Sequence, residues 1–325
     1  MTEERLLNPN RKPSLEGVEC AAEKIAKIVP PTPLLPLEGE GKTIWCKAEN
    51  LQPIGAFKIR GGWHRLTDLT DDQRKKGVVA FSSGNHAQGV AWAAKKLNVP
   101  ATIIMPEDAP EAKLANTKAL GAKVITYNRM TGAREQMADD ISTDTGAVVV
   151  PSFDDPWIVE GQGSCGLEIK KQMTAQTGSG PDQIIACCGG GGLATGSALA
   201  NPDAAIYVVE PVGWDDMKRS LEGGCIVPVG DNPPDTECDA LQTLQVSPIT
   251  FDILKERGAI GVAVTPDEVH HAMRLAFEKL RIVLEPGGSV ALAAVLAGKV
   301  DTTDNTAVTL SGGNVDPELF AKVIA

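Results

Sequence analysis

Between residues 77 and 151 the chain alternates short apolar or β-branched runs with longer amphipathic stretches. The runs at 78–81, 101–105, 123–127 and 147–150 read as strands, because they are rich in Val and Ile and too short for helices. Residues 86–97, 111–119 and 131–144 carry helical periodicity between them. Near-continuous apolar strands separated by helices predict a parallel sheet covered on both faces. The pattern then repeats, with strands expected at 183–188, 206–210, 260–265 and 307–310, and helices around 192–200, 266–279 and 288–297. The run 44–49 is expected to pack on this second body, and the Pro/Gly/Asp-rich stretch 222–236 reads as a surface loop. The prediction is an α/β chain of two parallel-sheet, three-layer domains. The smaller domain, 69–151, interrupts a larger one made of 1–68 and 152–325.

Composition narrows the partners. The chain has 325 residues, 42% apolar and 22% charged, enough for such domains to have real cores. A net charge of -11 with no Lys/Arg cluster of the required length argues against nucleic acid. The longest purely apolar run, 290–297, is far below the ~18 residues that span a bilayer. The opening Met1-Thr2-Glu3-Glu4-Arg5 is unlike a signal peptide, and a cytoplasmic location is expected. Seven cysteines without a C-x-x-C pair read as reduced thiols, with Cys187-Cys188 ending an apolar strand rather than forming a site. The four histidines show no zinc spacing, since His270 and His271 are adjacent on a helix and diverge.

Four segments carry chemistry. Lys58 lies in Pro53-Ile54-Gly55-Ala56-Phe57-Lys58-Ile59-Arg60-Gly61-Gly62, where flanking glycines allow a ligand close to the backbone and Phe57 helps exclude water. A lysine so placed suits a Schiff base with a carbonyl cofactor, although an isolated lysine is more often a surface charge. Gly189-Gly190-Gly191-Gly192-Leu193 follows a strand and opens a helix, so converging N–H groups and the helix N-terminus form an anion cradle. No Gly-Lys-Ser/Thr follows, which excludes a Walker A loop. A dinucleotide reading stays open here, because Gly189-x-Gly191-x-x-Ala194 fits the Gly/Ala fingerprint and Glu210 ends the next strand. The turn Ser82-Ser83-Gly84-Asn85-His86 offers hydroxyls, an amide and free N–H groups suited to a substrate carboxylate, with Ser82 or Asn85 also expected to cap the following helix. Ser311, at the end of the last strand, is placed to hydrogen-bond a heteroaromatic nitrogen.

Taken in order, these segments resemble the pyridoxal-phosphate enzymes of fold type II, in the threonine/serine dehydratase and serine racemase branch, from about Leu34 to the last strand. The resemblance implies pyridoxal phosphate as cofactor, Lys58 as its Schiff-base lysine, and Gly189, Gly190, Gly191, Gly192 and Leu193 around its phosphate. It matches Ser311 to the pyridine nitrogen, Asn85 to the ring hydroxyl, Phe57 to a place beside the ring and Ser83 to the face opposite the lysine. Ser82, Ser83, Asn85 and His86, with Arg134, are matched to the substrate-carboxylate site. Glu210, Asp216 and the carbonyl of Trp214 are matched to a divalent-cation site, and such hard oxygen ligands suit Mg²⁺ or Ca²⁺. Two departures stand out: Ala56 where Ser is usual before Phe-Lys, and Ala240 where Gly is common after Asp239.

The resemblance implies a homodimer and a lyase that turns a β-hydroxy amino acid into a 2-keto acid and ammonia. Lys58 would be the α-proton base, with serine, threonine, hydroxyaspartate or phenylserine as candidate substrates. The alternative is an amino-acid racemase using Lys58 and Ser83 on opposite faces. An NAD-dependent oxidoreductase and a ligand-binding protein without catalysis are the readings from other classes.

Overall fold

The computed structural model describes residues 8, 10–39, 41–82, 84–109, 111–128 and 133–325. Among them the strands are β1 (Leu34–Glu38), β2 (Thr43–Ala48), β3 (Val78–Phe81), β4 (Ala101–Pro106), β5 (Lys123–Tyr127), β6 (Val148–Val149), β7 (Gln183–Cys187), β8 (Ala205–Pro211), β9 (Ile260–Val264) and β10 (Thr306–Leu310). They form a six-stranded sheet, β1-β2-β10-β7-β8-β9, and a four-stranded sheet, β5-β4-β3-β6. No helix among the described residues is long and apolar enough to cross a membrane.

The smaller sheet is parallel throughout, as its sequence predicts. The larger is not, because β1 runs antiparallel to β2, with Leu34 opposite Lys47. The connection is too short for a parallel crossover: Gly39 N–H already donates to the Lys42 carbonyl at 2.9 Å. Next to it, β2 pairs in parallel with β10, Ile44 opposite Thr306, so the run at 44–49 packs on the second body as expected, and does so as a strand beside the last one.

The long helix Pro156–Thr177 has no counterpart in the sequence reading. Its first half is buried on every side, including Trp157, Ile158, Glu160 and Gln162, so it carries no clear amphipathic stripe. Its start is nonetheless well marked, since Asp155 accepts from Ile158 N–H at 3.0 Å and Pro156 opens the first turn. The stretch expected as one helix at 266–279 is a helix, Pro266–Leu275, followed by a π turn, Ala276–Leu280.

Two hydrophobic clusters dominate. One surrounds the larger sheet, with Ile184, Val208, Leu292 and Val308 among its fully buried members. The other joins Ala21 and Ile25 of the helix Leu15–Ile25 and Leu66 of the helix Ile59–Thr67 to Val78, Ala80 and Ile103 of the smaller sheet. The helix Ile59–Thr67, which begins directly after Lys58, also lies against Asn85–Leu97 and Pro156–Thr177. Where it meets Asn85–Leu97 the contact is backbone on backbone. A Cβ on Gly62 would stand 2.9 Å from the Gly89 carbonyl oxygen, and one on Gly89 would stand 2.8 Å from the carbonyl of Lys58.

Two residues beyond Lys58, Arg60 anchors this helix from below. It is completely buried and grips Glu49 through Nε and Nη2, at 2.7 and 2.8 Å, and Glu168 through Nη1 and Nη2, both at 2.8 Å. Lys47 completes the network, 2.6 Å from Glu168 and 2.8 Å from Gln172. Two cations face two carboxylates, and the geometry is forked, the arrangement in which a buried ion pair recovers its desolvation cost. Burial raises the Glu49 carboxyl, but Arg60 outweighs it and holds the group down to about 2.

Candidate active site

A cavity of about 590 Å³ has Lys58, Ser82, Gly191 and Ser311 on its wall, so segments far apart in sequence meet around one space. Lys58 enters at the start of its helix, and its Nζ donates to the Ser152 carbonyl at 2.9 Å. Burial pushes its amine down to about 8. The Phe57 ring lies 5.1 Å from that nitrogen. Backbone pairing stitches the preceding residues to the end of β10: Phe57 N–H donates to Ser311 O at 3.1 Å, and Ala56 bridges Gly312. Ala56 is therefore buried in this seam and off the cavity wall, whereas Ala240 is on the wall.

The four glycines line one part of the cavity wall and have the features of an anion cradle. Gly191 has φ +87, in the left-handed region. Gly190 has no room for a side chain, since a Cβ would sit 2.1 Å from the Phe153 ring. The helix Gly192–Ala200 starts here with no side-chain cap, leaving first-turn N–H groups for an anion. Leu193 also lies on the wall.

The serine turn differs from expectation in one respect. Neither Ser82 nor Asn85 caps the helix Asn85–Leu97: Ser82 Oγ accepts from Gly84 N–H at 3.2 Å, and Gly84 occupies the cap position. Asn85 is engaged elsewhere, its Nδ2 donating to Glu285 Oε1 at 2.5 Å and its Oδ1 accepting from Asn314 Nδ2 at 2.7 Å. His86 Nε2 lies 2.8 Å from the Val150 carbonyl, which can only accept, so Nε2 carries the proton and Nδ1 is a bare acceptor. Burial, and then the charge of Lys58, push His86 down to about 3, so the ring is neutral. Ser83 lies outside the described residues. Arg134 stands on the wall at the start of Arg134–Thr145, its Nε 2.8 Å from Glu135 and its guanidinium 5.6 Å from the Phe81 ring.

Sequence reasoning missed Glu285 and discounted Cys187, and both line the cavity. Glu285 is buried, and burial, then Asp239, push its carboxyl up to about 7. The only sequence signal for it was a carboxylate before Pro286, where a helix starts. Cys187 Sγ lies 3.1 Å from Ser311 Oγ, and burial pushes its thiol up to about 11. Three buried polar atoms of wall residues lack a protein partner among the described residues: Glu285 Oε2, His86 Nδ1 and Gln162 Oε1. An amine, an uncapped glycine cradle, a strand-end hydroxyl and spare polar atoms together fit a phosphorylated aldehyde with a polar ring.

Glu210, Trp214 and Asp216 lie off the cavity wall. Glu210 Oε1 accepts from Met217 N–H at 3.0 Å and Oε2 from Lys218 N–H at 2.8 Å, and its place off the wall that carries the glycines speaks against the ribose-binding role of a dinucleotide site. Asp216 Oδ2 accepts from Val246 N–H at 2.9 Å, while its buried Oδ1 has no partner. Burial and then Asp216 raise Glu210 well above the usual carboxylate range. Among the described residues no group of three or more His, Cys, Asp or Glu is arranged to hold a metal.

The arrangement is that of a fold type II pyridoxal-phosphate enzyme, and comparison with known proteins agrees. Residues 25–312 match the model of the family described as pyridoxal-phosphate dependent enzyme, and the chain belongs to that family. It is 39% identical to a serine racemase from Schizosaccharomyces pombe, over 96% of this chain and 98% of the relative. It is 38% identical to an L-threo-3-hydroxyaspartate ammonia-lyase from Saccharomyces cerevisiae, over 96% of this chain and 97% of the relative. Among solved structures, a T.th. threonine deaminase superposes with a TM-score of 0.86 at 40% identity, covering 94% of this chain and 99% of the other.

Proposed function

We propose that the protein is a dehydratase that converts a β-hydroxy amino acid into a 2-keto acid and ammonia. The observation that carries the reading is Lys58, a half-buried amine brought down to about 8 by desolvation on the wall that also holds the glycine cradle and the serine turn. When bound, pyridoxal phosphate supplies an electron sink that acidifies the Cα–H of an attached amino acid. Gly189 to Leu193 hold its phosphate, and Ser311, Asn85 and Phe57 orient its ring. The turn Ser82 to His86 and Arg134 hold the substrate carboxylate, and Lys58 takes the Cα proton. The Cα proton and β-hydroxyl leave as water, and hydrolysis of the C–N bond releases ammonia and the keto acid. Relatives named for hydroxyaspartate and threonine support this substrate class. A keto-acid assay across a panel of 3-hydroxy amino acids tests the reading, with borohydride trapping and peptide mapping at Lys58. A trapped peptide other than the one holding Lys58 would refute it.

Serine racemases among the relatives favour a second reading, in which Lys58 and Ser83 exchange the Cα proton from opposite faces. Chiral analysis of residual serine beside keto-acid release separates the two.

Three further features belong to the same proposal. A Mg²⁺ or Ca²⁺ ion sits between Glu210, Asp216 and the Trp214 carbonyl, supported by the unpartnered Asp216 Oδ1. The chain divides into a discontinuous large domain, 1–68 with 152–325, and a small one, 69–151, supported by the smaller sheet drawing its strands only from between Val78 and Val149. The protein works as a cytoplasmic homodimer, the location supported by cysteines that are all free; sedimentation and cell fractionation test these two points.

A further inference from the structure

We infer that Cys187 is a positioning residue for Ser311. Its thiol proton occupies one lone pair of the Ser311 hydroxyl and leaves that hydroxyl's own proton to point into the cavity, toward the pyridine nitrogen of the cofactor. The inference rests on the reading of the cavity as a pyridoxal-phosphate site. Strands β7 and β10 run parallel, Val308 opposite Ile185, and carry Cys187 and Ser311 to the same end of the sheet. There Sγ and Oγ lie 3.1 Å apart, both residues buried to 5% exposure or less and both on the wall.

Direction follows from the chemistry of the two groups. A serine hydroxyl has one proton and two lone pairs, and a thiol sulfur is the weaker acceptor, so the thiol donates. Burial keeps that thiol protonated. The backbone of Ser311 is already committed, its N–H to Gly288 O at 3.2 Å and its carbonyl to Phe57 N–H at 3.1 Å. Among the described residues no protein group accepts the hydroxyl proton. An aromatic nitrogen with an in-plane lone pair is the acceptor this leaves room for, and the unpartnered Glu285 Oε2 on the same wall marks the space independently as one meant for a polar guest. Without the thiol the hydroxyl is free to turn away, and the ring nitrogen loses a fixed donor.

The test loads the protein with pyridoxal phosphate labelled with ¹⁵N in the ring and compares wild type, Cys187→Ala and Cys187→Ser. It records the ring-nitrogen NMR signal and the cofactor dissociation constant by fluorescence titration. Cys187→Ala is expected to displace the signal and weaken the cofactor about fivefold, the worth of one neutral hydrogen bond. Cys187→Ser, which keeps a donor, is expected to restore most of both. A cofactor that binds Cys187→Ala with an unmoved ¹⁵N signal overturns the inference. Failure of the broader reading looks different: wild type does not bind the cofactor, or Lys58→Ala leaves the bound cofactor's absorption unchanged. Should Cys187→Ala not fold, the S–H stretching band decides. Replacing Ser311 with Ala should return the Cys187 band to the free-thiol position, and an unshifted band overturns the inference.

Discussion

Arg60 is fully buried and Lys58, two residues before it, is half-buried on the cavity wall, and their surroundings are opposites. Around Arg60 every charge is matched, and the guanidinium and Glu49 are each driven further into their ionised forms. Around Lys58 the balance runs the other way. Lys58 and His86 are pushed toward neutrality, Glu285 is raised, and polar atoms of His86 and Glu285 stay unpartnered. Burial alone therefore does not mark a reactive site, since Arg60 is more deeply buried than Lys58. What separates them is completion: one network is closed by its own side chains, and the other is left open for a guest.

The largest expected break of this contrast is Lys58→Ala. It should cut keto-acid formation by roughly 10³-fold or more while the urea midpoint holds or rises, because a poorly solvated amine is removed. Arg60→Leu should do the reverse to stability, since it strands the buried Glu49 and leaves Glu168 with Lys47 alone; a loss of about 3–5 kcal/mol in unfolding free energy is expected by urea titration. Chelation probes a third cluster, Glu210 with Asp216, which resembles the open site in its spare oxygen. Removing a bound divalent ion should lower the melting temperature by an amount equivalent to about 2–3 kcal/mol at saturating metal, and Asp216→Asn should abolish the dependence on chelator. An Asp216→Asn protein that responds to chelator as wild type does would remove the ion from this position.

Glu285→Gln is expected to have the smallest effect, and its sign is diagnostic. A carboxyl raised from 4.5 to about 7 on folding binds more protons in the folded state between those values. Its contribution to stability is therefore present below pH 4.5 and lost as pH rises through 7. The variant should gain stability relative to wild type at pH 8 compared with pH 4, by about 1–3 kcal/mol, read from paired denaturation curves. Lys58 gives the opposite slope at higher pH: its folded value near 8 against 10.5 unfolded makes the unfolded chain bind more protons, so stability rises from pH 8 to 10.5.

Much of this was legible in the chain. The strands at 78–81, 101–105 and 123–127 stand where their β-branched runs put them, with one added residue in β4, and the family resemblance drawn from Lys58, the glycines and Ser311 agrees with the family match. The helix Pro156–Thr177 was hidden because its first half, covered on all sides, has no 3.6-residue period. The antiparallel edge strand β1 was hidden because Pro36 interrupts its apolar run, a residue that edge strands tolerate and that argues against a strand in sequence. Glu285 and Cys187 escaped for a different reason. Each acts through a neighbour distant in sequence, Glu285 on Asn85 and Cys187 on Ser311, and no local motif records such pairs.

The side-chain-free crossing of Gly62 with Gly89 sets a limit on how this enzyme can diversify. Lys58 is seated against a surface with no atoms to exchange, so its position cannot be tuned by residue size, and any substitution at Gly89 pushes directly on the Lys58 carbonyl. New substrate preferences have to arise elsewhere on the cavity wall, where Phe153, Ala240 and Leu244 present side chains that can change. In a saturation library the two regions should separate cleanly, the glycine crossing near-invariant among active clones and those wall positions permissive.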